Sequence, residues 1–250
     1  MTRPLVLIHG FTGTAASFAR VAALLPEPPH YLSPLGHRGL AEAEARVTTW
    51  AHELERLVSL LPAEPVHLAG YSLGARLALG IALAFPGRVA GLTLISGHTG
   101  LATHSEREVR RRIDMQWRWL LETQGIARFV NEWEQQPIFA TQARLPASLR
   151  EAHRAERLSH EAAGLARSLR VTGLAQMPNY TRQLGSLALP VTVIAGELDS
   201  KFTELGRTAC EHLPNGRFVA APDAGHDLLL ERPDLVALVL REETQKAHPS

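Results

Sequence analysis

Val66-His67-Leu68-Ala69-Gly70-Tyr71-Ser72-Leu73-Gly74-Ala75-Arg76 joins two patterns of different period. The first four residues have the length and apolar character of a strand buried on both faces, and a helical pattern runs from Leu73 to Phe85. Between them Gly70-Tyr71-Ser72-Leu73-Gly74 fits G-x-S-x-G in the strand-to-helix context that the motif requires. A serine in such a turn is forced into strained backbone geometry. The small residues two before and two after it leave room for the bend, and the strain implies a chemical use for the Ser72 hydroxyl.

Outward from this turn the alternation continues. Strand-like runs occur at Leu5–Ile8, Leu92–Ile95 and Val191–Ala195, with a weaker one at Phe218–Ala220, and helical spacing marks Ala15–Leu25, Ala41–Leu61 and Pro233–Leu240. Strand and helix in turn predict an α/β fold, a mostly parallel sheet flanked by helices. The segment 98–185 breaks the pattern. It is charged, carries Trp117, Trp119 and Trp133, and holds no convincing strand, so it is expected to form four or five helices. An insertion there reads as a helical lid over the carboxyl ends of the strands, with a purely structural extension as the other reading. The expected division is a core of residues 1–97 and 186–250 and a cap of residues 98–185.

A serine hydroxyl is inert near neutral pH unless a base takes its proton, so a histidine oriented by a carboxylate is required downstream. Asp199 follows the run Val191–Ala195, and His226 follows Phe218–Ala220 in Pro-Asp-Ala-Gly-His-Asp. The chain order Ser72, Asp199, His226 is that of an α/β-hydrolase triad. Asp223 and Asp227 flank the histidine and compete as orienting acids. Asp199 ranks first because its loop is a strand end. The amides of Phe11, just after the first strand, and of Leu73 are expected to converge above Ser72 as an oxyanion hole, while His9 packs structurally.

The composition narrows the partners. Of 250 residues, 26 are Lys or Arg and 25 Asp or Glu, a net charge of +1 that gives no case for nucleic acid or an anionic membrane as main partner. Lys201 and Lys246 are the only lysines, leaving 24 arginines. Arginine grips carboxylates bidentately, although genomic base composition also biases its use. Thirteen arginines against 9 acidic residues fall within 98–185, a local charge of +4 inside a near-neutral chain. That distribution points to a small polycarboxylate under the lid. Cys210 is the single cysteine. It excludes an internal disulfide, and with no ligand cluster and no dinucleotide fingerprint no metal or organic cofactor is expected. Met1-Thr2-Arg3-Pro4 leads directly into Leu5–Ile8, too short a run for a signal segment or a bilayer span, so a cytoplasmic protein is expected. Oligomeric state is not legible.

Over essentially its whole length the sequence resembles the α/β-hydrolase superfamily. Gly70-Tyr71-Ser72-Leu73-Gly74-Ala75-Arg76, Trp133-Glu134-Gln135-Gln136-Pro137-Ile138-Phe139, Gly196-Glu197-Leu198-Asp199-Ser200-Lys201-Phe202 and Ala224-Gly225-His226 together resemble the 2-succinyl-6-hydroxy-2,4-cyclohexadiene-1-carboxylate synthase family. The resemblance implies a lyase of menaquinone biosynthesis that eliminates pyruvate from a carboxylate-rich cyclohexene. It further implies the triad Ser72, Asp199 and His226, and substrate contacts from Tyr71, Arg76 and Trp133. Two lid arginines are placed by the same likeness at Arg110 and Arg157, with Arg111, Arg112 and Arg154 as alternatives. The chain departs from the family at Ala75, where a second glycine is common, and at Gly36-His37-Arg38, where many members have Gly-His-Gly. Two other readings stay open: a hydrolase of the same fold that uses Ser72 as a covalent nucleophile, and a non-catalytic scaffold.

Overall fold

The computed structural model describes residues 3–37 and 42–245. Six strands form one sheet: β1 (Leu5–Ile8), β2 (His30–Leu32), β3 (Val66–Tyr71), β4 (Val89–Ile95), β5 (Val191–Gly196) and β6 (Gly216–Ala221). Their order is β2-β1-β3-β4-β5-β6, and every pairing is parallel. The helices are α1 (Ala19–Ala22), α2 (Trp50–Ser59), α3 (Leu73–Ala84), α4 (His104–Trp133), α5 (Ala147–Leu158), α6 (Ala162–Thr172), α7 (Ser200–His212), α8 (Leu228–Glu231) and α9 (Pro233–Gln245).

Alternation along the buried strands builds two apolar layers. Val6, Ile8, Leu68, Leu92 and Val193 face one side and pack with Leu54 and Leu57 of α2 and Leu77 and Ile81 of α3. Leu7, Ala69, Ile95 and Ile194 face the other, against Val236 and Leu240 of α9. Each of these Val, Leu and Ile side chains, buried to a few per cent exposure or less, contributes about 1.5–3 kcal/mol. Register decides where the chemistry falls: Ile8 pairs with Gly70, Tyr71 with Ile95, and Ile95 with Ile194. The residues that leave β1, β3, β4 and β5 therefore emerge at one edge.

The observed elements refine the expected ones. β3, β4 and β6 are longer than the apolar runs that announce them, and the three-residue edge strand β2 was not expected. The helix expected over Ala15–Leu25 is instead a 3₁₀ turn, Ala15–Phe18, continued by α1. Thr14 and Ser17 form a reciprocal capping box that tightens this start. Ala41, the expected start of the next helix, lies outside the described residues, as does Arg38. The rest of that span is a 3₁₀ turn, Glu42–Arg46, and then α2, restarted by the extended Thr49, whose side chain accepts a hydrogen bond from the His52 amide. Residues 1–2 and 246–250 of the expected core are likewise outside the described residues.

Between β4 and β5 the chain forms α4, α5, α6 and 3₁₀ turns at Pro137–Arg144 and Thr181–Ser186, with no strand among the described residues. Gly125 interrupts α4 at φ 76°, ψ 179°, a region open essentially to glycine alone, so α4 is two helices end to end. Leu121, Phe129, Val130, Leu165 and Leu169 form a small separate core there. No helix among the described residues is long and apolar enough to cross a membrane.

Candidate active site

Ser72 sits between β3 and α3 at φ 52°, ψ −105°. Gly74 makes this turn possible: a Cβ there would lie 2.0 Å from the Ile8 carbonyl oxygen, so β1 and the start of α3 touch backbone to backbone. The Ser72 side chain caps nothing in its own helix. Its hydroxyl instead faces His226 Nε2 at 3.2 Å, and His226 Nδ1 donates to Asp199 Oδ2 at 2.7 Å. Asp199 is fixed by its neighbours, since its Oδ1 accepts from the Phe202 amide at 3.4 Å and the Leu198 amide donates to the Ala224 carbonyl. His226 is further held by the Ser96 hydroxyl, which donates to its carbonyl at 2.8 Å, and by the Phe202 ring 4.5 Å away. The competing acids are elsewhere. Asp227 accepts from Gln142 Nε2, and Asp223 occupies a positive-φ turn.

Phe11 and Leu73 both line the cavity above Ser72. Neither amide is spent on a protein acceptor among the described residues. Leu73 is the first residue of α3, whose amino end adds favourable potential for a developing oxyanion. Phe11, Trp133 and Phe139 divide the space over Ser72 and His226 into two lobes.

The first lobe holds Arg76, Arg110, His98 and Lys201. Arg76 Nη1 donates to the Thr172 carbonyl at 3.0 Å, and its guanidinium lies 5.9 Å over the Trp50 ring. Burial, with Arg110 adding and Asp114 opposing, pulls Arg76 down to about 9, so it stays charged at neutral pH. Arg110 Nε is anchored on Asp114 Oδ1 at 2.8 Å. Trp117 and Trp133 wall this lobe with their ring centres 5.1 Å apart.

The second lobe holds Tyr71, His153, Arg157 and Asp227. Arg157 is almost fully buried, pairs with Glu134 at 3.0 Å and lies 4.9 Å over the Phe139 ring. Burial and then Arg157 pull His153 down to about 3, so the ring is neutral. Burial lifts Asp227 to about 7, Arg157 opposing and Glu231 adding. Among the described residues no group of three or more His, Cys, Asp or Glu side chains is arranged to hold a metal ion.

Known proteins share this architecture. The family model described as alpha/beta hydrolase fold matches residues 3–233. A 2-succinyl-6-hydroxy-2,4-cyclohexadiene-1-carboxylate synthase from Citrobacter koseri is 32% identical over 95% of this chain and 93% of its own. Its namesake from Enterobacter sp. (strain 638) is 32% identical over 95% and 90%. The chain belongs to the alpha/beta-hydrolase family, in its 2-succinyl-6-hydroxy-2,4-cyclohexadiene-1-carboxylate synthase branch. The solved structure of MenH from S. aureus superposes with a TM-score of 0.91 at 26% identity, covering 98% of this chain and 96% of the other.

Within this synthase branch, the five arginines considered from sequence separate clearly. Arg76 and Arg110 share the first lobe and Arg157 lies in the second, so the three do not form a single cluster. Arg111 pairs with Glu108, Arg112 is exposed, and Arg154 pairs with Glu134 at 2.5 Å beside an outer groove. Tyr71 stands behind His226, ring centres 5.6 Å apart, and Trp133 forms part of the partition. Sequence reasoning gave no role to His98, which lines the first lobe. Burial, then Arg76, Lys201 and Arg110, pull it down to about 4, and the Gly100 amide donates to its Nδ1 at 2.9 Å. The available signal was its place just past the end of β4.

Proposed function

We propose that this chain eliminates pyruvate from 2-succinyl-5-enolpyruvyl-6-hydroxy-3-cyclohexene-1-carboxylate to give 2-succinyl-6-hydroxy-2,4-cyclohexadiene-1-carboxylate, a step of menaquinone biosynthesis in the cytoplasm. The observation that carries the reading is Arg76, a partly buried cation one helical turn past Ser72 and in the same lobe as Arg110. An esterase pocket has no use for two guanidinium groups beside its nucleophile, whereas a substrate bearing several carboxylates needs them. Each well-formed contact of this kind is worth about 1.5–3 kcal/mol. The relatives' names and their coverage of nearly the whole chain support the same assignment.

In this mechanism Ser72, its proton drawn toward His226, acts as a general base and takes the hydrogen from the ring carbon α to the succinyl ketone. The ketone oxygen becomes an enolate on the amides of Phe11 and Leu73. Its electron pair returns through the ring double bond and breaks the C–O bond to the enolpyruvyl group. That group leaves, takes up the proton held on His226 and ketonises to pyruvate, and the ring gains a conjugated diene. Asp199 keeps His226 in the required tautomer. Arg76, Arg110 and Arg157 hold carboxylates, Tyr71 and Trp133 wall them, and residues 98–185 act as the lid.

A hydrolase reading shares the Ser72–His226–Asp199 line and the unspent amides, which equally suit covalent acyl transfer. A coupled assay of pyruvate release from the freshly generated intermediate separates the two. Pyruvate release that disappears in Ser72→Ala supports the elimination. Rapid turnover of a short aryl ester with no pyruvate release overturns it in favour of the hydrolase. Inertness toward both, together with failure of a fluorophosphonate to label Ser72, leaves the scaffold.

A further inference from the structure

We propose that the oxyanion loop is held in its working shape by a clamp that the helical insertion completes. His37 and His160 grip the two polar groups of Thr12, its amide and its carbonyl, and Glu156 anchors the end of the loop. The inference rests on the assignment of the Phe11 amide to the oxyanion hole.

Thr12, the residue after Phe11, is buried and sits at φ 66°, a conformation that a β-branched residue adopts only when its surroundings over-determine it. Its amide donates to His37 Nε2 at 3.1 Å, and its carbonyl accepts from His160 Nε2 at 3.1 Å. The tautomers are fixed by what surrounds them. His37 Nδ1 faces the carbonyls of Pro34 and Leu35, both at 3.1 Å, so that nitrogen carries the proton and Nε2 is left as the acceptor. Burial, with His9 and His160 adding, holds His37 well below its ordinary value, so the acceptor persists at neutral pH. The two rings meet edge to face at 5.3 Å, and the Phe11 ring meets His37 at 5.6 Å.

The Gly13 amide closes a turn onto the Gly10 carbonyl at 3.1 Å, which makes Phe11 rigid with Thr12. Beyond it, Glu156 Oε1 accepts from the Thr14 amide at 2.8 Å, the Thr14 hydroxyl at 2.6 Å and the Ser17 hydroxyl at 2.8 Å. Glu156 lies in the last turn of α5 and His160 two residues past its end, with Arg157 of the second lobe between them in sequence. One end of one helix therefore reaches both a candidate carboxylate site and the loop that would carry the oxyanion donor. Glu156, His160 and His37 are positioning residues, because none of them lies where the reacting atoms would.

The test compares His37→Met and His160→Phe, which keep bulk but lose the polar contact, with His37→Gln, whose amide oxygen restores an acceptor. Two readouts are taken: kcat and KM for pyruvate release, and the affinity for phenylboronic acid, whose Ser72 adduct places an oxygen on the same amides. The first two changes are expected to lower kcat and weaken the boronate about tenfold each, below the loss for deleting an oxyanion donor outright. KM should stay within about twofold and the acid limb of the kcat/KM profile should not move, while His37→Gln recovers most of the loss. Folded His37→Met and His160→Phe proteins that keep both kcat and boronate affinity within about twofold overturn the clamp. Should neither fold, Glu156→Gln is read the same way: a weakening of about threefold supports the clamp and none overturns it. A wild-type protein that binds the boronate but releases no pyruvate sinks the elimination and leaves the clamp standing. One that binds no boronate removes the oxyanion assignment and the clamp together.

Discussion

Ser72 and Arg76 share one turn of α3, on backbone that a single methyl group would displace, whereas Arg110 and Arg157 reach the same space from the insertion on long side chains paired with Asp114 and Glu134. Around the sheet, two apolar layers and register-matched strands set positions by contact at van der Waals distance. In the insertion the apolar core is small, and the residues facing the cavity are held by ion pairs and hydrogen bonds. Geometry that must not move is built from close packing. Arg110 and Arg157, proposed to hold carboxylates, sit instead in ion pairs that a carboxylate can replace.

The sharpest way to break this comparison is Gly74→Ala. The added Cβ meets the Ile8 and His9 carbonyls, both backbone, so β1 or α3 must shift. A loss of about 3 kcal/mol in urea unfolding is expected, with activity falling further as the Phe11 amide moves with β1. Next is Arg76→Ala, expected to cost about 2 kcal/mol of kcat/KM for pyruvate release while a short aryl ester is unaffected or improved. An equal loss on both substrates would mean that Arg76 supports the elbow instead of reading charge.

Asp227 probes the seam between the two regions, since Gln142 of the insertion donates to it. Its carboxyl, lifted to about 7, keeps a proton between roughly pH 4 and 7 that the unfolded chain has released, so stability falls as pH rises through that window. Asp227→Asn should therefore be more stable than the parent at pH 8, by about 1–2 kcal/mol in urea unfolding, and match it near pH 4. The smallest effect is expected at Gly125→Ala. A side chain at this positive φ is strained as Ser72 is, but a Cβ there meets nothing within 4 Å, so α4 can relax at a cost of about 1 kcal/mol. If this change costs as much as Gly74→Ala, the insertion is as rigid as the sheet and the contrast fails.

The line of Ser72, His226 and Asp199 was legible because its signals are local. A glycine-flanked serine, an acid and a histidine each follow a buried apolar run, and parallel register then brings strand ends together whatever the loops do. That Phe11 and Leu73 line the cavity over Ser72 was legible for the same reason. β2 was not, because three residues at a sheet edge, with Tyr31 exposed, carry no period that could be read. The break at Gly125 and the shortened Ala15–Leu25 segment depend on backbone dihedrals and caps that apolar spacing does not encode. The separation of Arg157 from Arg76 was also hidden. Their common lobe or different lobes is decided by where Trp133 and Phe139 fall, which is a tertiary fact.

The tryptophans give the molecule an optical property. Trp50 is tied to the Tyr180 hydroxyl at 2.8 Å inside the core, and Trp119 is more than half exposed on the surface, so neither ring lines the lobes over Ser72. Trp117 and Trp133 are within 5.1 Å of each other and line the lobe that holds Arg76 and Arg110. An anion seated there changes the field on two coupled indoles at once, so intrinsic fluorescence and near-ultraviolet dichroism are built-in gauges of occupancy, readable without a label on the chain.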